Sequence, residues 1–133
     1  MAIVRAYLTM IGKEFNPDLV TDLLNITPDQ VRTPLEILPN GNYFHHTEWG
    51  IETARQEVDD VETVIRQLLD RVSGRLDDMA AVAESVSAQW HVLVCVKSGT
   101  SDFPYIIFSA QTICELAKIK AQMGFDTYLH TEG

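Results

Sequence analysis

Apolar and polar positions alternate imperfectly from Ile3 to Ile11, with Val4, Ala6, Leu8 and Met10 on one side and Ile3, Arg5, Tyr7, Thr9 and Ile11 on the other. Successive side chains of a strand point to opposite faces, so this run predicts a strand with one strongly apolar face. The period then changes. Phe15-Asn16-Pro17 opens a helix, because Asn16 can cap it and Pro17 suits a first position where a missing N–H costs nothing. Phe15 and Val20 have the spacing of a hydrophobic staple, and Leu19, Val20, Leu23 and Leu24 form the stripe expected to be buried. Thr27-Pro28-Asp29-Gln30 reads as a capped single turn. A second strand is predicted over Val31 to Ile37, where Pro34 favours an edge because it cannot donate to a ladder. Pro39-Asn40-Gly41-Asn42 signals a turn, and Tyr43 to Thr53 follows as a third strand, making residues 31–53 a hairpin.

Val58, Val61, Ile65, Leu68, Leu69, Val72 and Leu76 recur at helical spacing. Gly74 interrupts them, and Asp77 to Val86 reads as a further helical piece. Trp90 to Val96 is a strand with two largely apolar faces, which predicts a central position. Ser98 to Asp102 is a loop, and Tyr105 to Phe108 a short strand. Ser109 caps a helix carrying Ile113, Leu116 and Ala117, with Gly124 expected at C′, before a last strand from Phe125 to His130. The resulting order, β-α-β-β-α-β-β-α-β, predicts a single α+β domain over residues 1–133. The expected architecture is a ferredoxin-like sandwich or close variant, with helices packed on one face of a mainly antiparallel sheet.

Charge narrows the function classes. Lys and Arg number 10 against 19 Asp and Glu, a net charge of −9. That balance opposes binding to phosphate backbones and docking on anionic membranes, and it favours encounter with a basic protein. No secretory leader is visible, and no apolar run approaches the roughly 20 residues needed to span a bilayer. The two cysteines, Cys95 and Cys114, are expected to be reduced core thiols in a cytoplasmic protein.

Several segments together carry a family resemblance. They are Glu14-Phe15-Asn16-Pro17-Asp18, Leu24-Asn25-Ile26-Thr27-Pro28, Trp49-Gly50-Ile51-Glu52-Thr53, Phe108-Ser109-Ala110 and Met123-Gly124-Phe125-Asp126-Thr127-Tyr128. In that order and spacing the chain resembles the bacterial domain-of-unknown-function family four-two-seven-nine, whose members carry a W-S-L-E-S-like strand. Gly50 stands where Ser is common, and Ala110 where the third helix often starts with Pro. The resemblance implies a fold more than a role. Some similar small acidic proteins are immunity proteins that silence a neighbouring toxin.

Candidate chemistry is sparse. His45, His46 and Glu48 form an H-H-x-E stretch, but a zinc site needs three or four convergent ligands and only folding could bring His91 and His130 to it. No metal and no cofactor are expected. No dinucleotide or phosphate loop and no nucleophile elbow is present, and Lys97-Ser98-Gly99-Thr100-Ser101 reads as a turn. On a strand Trp49 and Ile51 share one face, while Glu48, Gly50 and Glu52 share the other. The leading expectation is therefore a non-enzymatic protein-binding module, such as an immunity-type inhibitor of a basic toxin. It would dock through the acidic central helices (Asp77 and Asp78) and the aromatic anchors Tyr43, Phe44 and Phe103. One alternative is a small-ligand-binding or enzymatic domain using the sheet around Glu52, Trp90 and His91. Another is a structural homo-oligomer, a homodimer included, formed through an exposed strand edge.

Overall fold

The computed structural model describes residues 2–34, 39–41, 45–99 and 103–129. Tyr43 and Phe44, the distal part of the expected second strand and His130 lie outside them. Ten elements follow in the order β1 (Ala2–Gly12), α1 (Pro17–Leu24), β2 (Gln30–Arg32), β3 (Thr47–Glu52), β4 (Gln56–Val58), α2 (Val61–Arg71), α3 (Leu76–Ser85), β5 (Gln89–Ser98), α4 (Ala110–Lys118) and β6 (Gln122–Leu129). The fold is α+β, with four helices and a mixed, open, six-stranded sheet among the described residues. No helix among them is long and apolar enough to cross a membrane.

The sheet runs β2-β3-β1-β5-β6, and β4 pairs with β1 beside β3. β1 pairs antiparallel with β3, β4 and β5, β2 pairs antiparallel with β3, and β5 pairs parallel with β6. α4 supplies the crossover that a parallel neighbour requires. The alternation read from β1 is observed in full: Ala2, Val4, Ala6, Leu8 and Met10 are buried, and the intervening residues are not. On β5 the same rule buries Trp90, Val92, Val94 and Val96. Helices α1, α2 and α3 contact β3, β1 and β5 respectively.

Two indoles hold the centre of the core. Trp49 of β3 and Trp90 of β5 are fully buried and meet edge to face, with ring centroids 6.0 Å apart and an interplanar angle of 90°. That geometry sets the positive edge of one ring against the negative face of the other. Each indole N–H has a partner: Trp49 Nε1 donates to Thr21 Oγ1 at 2.9 Å and Trp90 Nε1 to the Met79 carbonyl at 2.8 Å. The pair thereby links the sheet to both α1 and α3.

Local signals explain the helix ends. Asn16 Oδ1 caps α1, Asp60 caps α2 and Ser109 caps α4. Gly74, at φ +80, separates α2 from α3. Gly124 does not end α4; it sits inside β6, and Lys120 takes the left-handed C′ position at φ +53. The Ala121 N–H closes that turn onto the Leu116 carbonyl at 3.0 Å. Other expectations also need correction. Tyr105 to Phe108 is not a strand; it runs beside the start of α2, making two backbone bonds around Tyr105. β4 is an unpredicted strand whose three residues pair with Ala2–Val4 of β1, on the edge that β3 occupies from Tyr7 to Gly12. In α1 only Val20 and Leu24 are buried, because the helix lies at the margin of the core; Leu19 and Leu23 are exposed. β5 is central by pairing but not covered on both faces, since Leu93 is 40% exposed.

Truncating either indole removes a large buried surface and leaves an N–H acceptor unpaired. Trp49→Ala and Trp90→Ala should each cost about 3–5 kcal/mol in urea denaturation. The double variant should reveal a coupling of about 0.5–1.5 kcal/mol from the edge-to-face contact.

Candidate functional site

The sheet has a second face. Ile3, Arg5, Tyr7, Thr9 and Ile11 of β1 alternate with the core residues and are exposed or half-buried. Register places His91, Leu93, Cys95 and Lys97 of β5 beside them, and Gln122, Gly124, Asp126 and Tyr128 of β6 beyond. On the other flank come Glu48, Gly50 and Glu52 of β3. Gly50 suits its position, because a Cβ there would lie 2.8 Å from Thr9 Oγ1.

A groove of about 480 Å³ opens on this face where β1 begins and β5 ends. Ile3, Arg5, Tyr7, Arg55, Cys95, Lys97 and Tyr128 line it. Arg55 reaches it through a break between β3 and β4, and Thr53 makes that break tolerable. The Thr53 N–H donates to the Ala6 carbonyl at 3.0 Å, while its Oγ1 accepts from the Ala6 N–H at 3.0 Å and donates to the Ala54 carbonyl at 3.1 Å. The side chain stands in for a ladder bond, and the backbone turns outward to present Arg55. Arg5 is held in place: its Nε donates to the Thr53 carbonyl at 3.1 Å, its guanidinium carbon lies 5.7 Å from the Tyr7 ring centre, and Glu52 stands 3.8 Å away.

The titrating groups around the groove are tuned by neighbours. Burial raises the pKa of the Cys95 thiol, and the charge of Asp126 adds to it, so the thiol stays protonated at neutral pH. Tyr128 donates to Asp126 Oδ2 at 2.6 Å, and that bond, followed by the Asp126 charge, raises the phenol pKa. Farther along the face, burial raises the Glu48 carboxyl against the opposing charges of Arg32, His46 and His91. Asp29 behaves oppositely. Burial alone would raise it, but hydrogen bonds from Arg71 and from the Glu52 N–H, with the Arg71 charge, outweigh burial and lower its pKa.

The residues singled out in the sequence are scattered by the fold. Glu52 and His91 are on the open face, but Trp90 is buried on the other side, so the expected trio does not converge. Asp77 and Asp78 are exposed in the first turn of α3, and Phe103 is exposed in the β5–α4 connection. Neither thiol is in the core: Cys95 is half-buried in the groove wall because it falls on the outward parity of β5, and Cys114 is exposed on α4. Among the described residues, no group of three or more His, Cys, Asp or Glu is placed to hold a metal. Arg5, Tyr7, Arg55, Lys97 and Tyr128 were not legible as a site. The polar row within β1 was a signal, but the strand order that adds the others was not.

Because Asp29 is held ionised by the folded state, its contribution is present above the ordinary aspartate pKa of about 3.9 and is lost as pH falls through its lowered folded value. Asp29→Asn should therefore be less stable than the wild type at neutral pH, and the gap should narrow on acidification, as read from urea midpoints along a pH series.

Residues 2–130 match the family described as "Domain of unknown function (DUF4279)", and the chain belongs to that family. No curated protein and no solved structure matches it.

Proposed function

We propose that this member of the family is a non-catalytic binding module that receives a small ligand in the groove on the open face of its sheet. One observation carries the reading. A sheet face that no described helix covers holds a concavity of about 480 Å³, walled by side chains from three strands and one loop, within the roughly 300–1,000 Å³ range of ligand pockets. The scaffold beneath it is rigid in the required sense, because its wall residues alternate with fully buried ones along β1 and β5. We read the part from β1 to β5 as a ferredoxin-like variant extended by α4 and β6. What supports this is the antiparallel order β2-β3-β1-β5, with helices in the connections on either side of the β2–β3 pair.

The test is a thermal-shift screen of a chemically mixed metabolite panel against the wild type and Ile3→Trp, which fills the groove from a partly exposed position. A ligand at about 100 times its Kd adds about 2.7 kcal/mol, several degrees in a domain of this size. Binders should lose their effect in Ile3→Trp. A panel without binders, or binders indifferent to Ile3→Trp, would refute the proposal.

A second reading, an immunity-type inhibitor of a basic toxin, is favoured by the acidic start of α3. Asp77 is 86% exposed, and its contact with Lys118 at 3.4 Å is a surface pair of little strength. Under it, the tagged chain should co-purify with the product of the adjacent gene, the complex should weaken as salt rises, and Asp77→Lys with Asp78→Lys should abolish it. Absence of a complex, or one indifferent to salt, counts against it.

A further inference from the structure

Resting on the ligand-binding reading of the same groove, we infer that its ligand is a small organic anion, a carboxylate or phosphate ester carried on an aromatic or aliphatic body. The chain has only 10 cationic residues against 19 acidic ones, yet among the described residues the groove lining contains three cations and no carboxylate. The lining thus gathers positive charge in a molecule of negative net charge, with the nearest carboxylates held at its rim by Arg5 and Tyr128.

The three cations are not equivalent. Arg5 is engaged by the Thr53 carbonyl, the Tyr7 ring and Glu52. Arg55 and Lys97 have no ion pair and no side-chain hydrogen bond among the described residues. They are therefore available to an incoming head group. The Arg55 fork suits two oxygens of a carboxylate or phosphate, and the Lys97 ammonium adds a point charge.

Other walls define the rest of the ligand. Ile3, Tyr7 and Tyr128 offer apolar surface for a ring or chain, and the protonated Cys95 thiol adds no competing charge. The carboxylates near the rim set a limit. Glu52 faces Arg5, Asp126 accepts from Tyr128, and Glu57 shares the open side with Ile3 through their pairing. These negative neighbours disfavour an extended polyanion and leave room for one anionic head.

The experiment is titration calorimetry of the full chain with 3-phenylpropionate, phenyl phosphate and the neutral 3-phenylpropanamide, repeated for Arg55→Gln, Lys97→Met and Ile3→Trp. Arg55 and Lys97 are exposed, so a matching melting temperature verifies each fold. At least one anion should bind, and the amide should not. Each charge-removing variant should weaken the anion about tenfold, the size of one lost charge-assisted hydrogen bond. Added salt should weaken it further. Preference between the two anions separates a carboxylate from a phosphate ligand. Equal binding of the amide, binding indifferent to both charge removals, or no binding of either anion at millimolar concentration overturns the inference. If the wider panel still yields a neutral binder displaced by Ile3→Trp, the groove remains a ligand site and only its anion selectivity is lost.

Discussion

β1 is hydrogen-bonded along both edges but buried on only one face, and the other elements take their positions from that constraint. Its inner row of Ala2, Val4, Ala6, Leu8 and Met10 has to be covered, and α2 and the flanking helices cover it. Its two edges recruit β3 with β4 on one side and β5 on the other. Those neighbours bring Trp49 and Trp90 into edge-to-face contact within the helix-covered core. With a side-chain period of two, the same arrangement projects Arg5 and Tyr7 outward between core positions. Core and groove are thus two faces of one alternation, and slipping the register by one residue would exchange them.

The break between β3 and β4 shows how a polar side chain can extend what a sheet does. A continuous strand would leave the first residues of β1 paired but present nothing above them. Thr53 instead satisfies both Ala6 backbone groups across the interruption, so the chain can turn out and deliver Arg55 without orphaning a buried donor. Similar economy appears at Asp29, which receives the Glu52 N–H and Arg71 together and so ties the end of β3 to α2.

The charge distribution carries a second lesson. A net charge of −9 describes the average field, and by itself it points away from anionic ligands. The helix layer follows that average, with Asp77 and Asp78 in the open. The open face departs from it locally, because Arg5, Arg55 and Lys97 come together from separate segments of the chain. Local potential in a concave site depends on which charges face it, and that depends on topology.

Read alone, the chain determined its α+β class, the inner face of β1, the caps at Asn16 and Ser109, the break at Gly74 and the opposition of Trp49 to Glu52. Each of these is written in adjacent residues, through periodicity, capping chemistry or a residue's own backbone preference. Only the tertiary structure decided the parallel placement of β6, the pairing of β4, the burial of Trp90 away from Glu52 and the convergence of Arg5, Arg55, Lys97 and Tyr128. Those features depend on which strands become neighbours and in what register, and that choice is made by burial of the whole core rather than by any local run of residues.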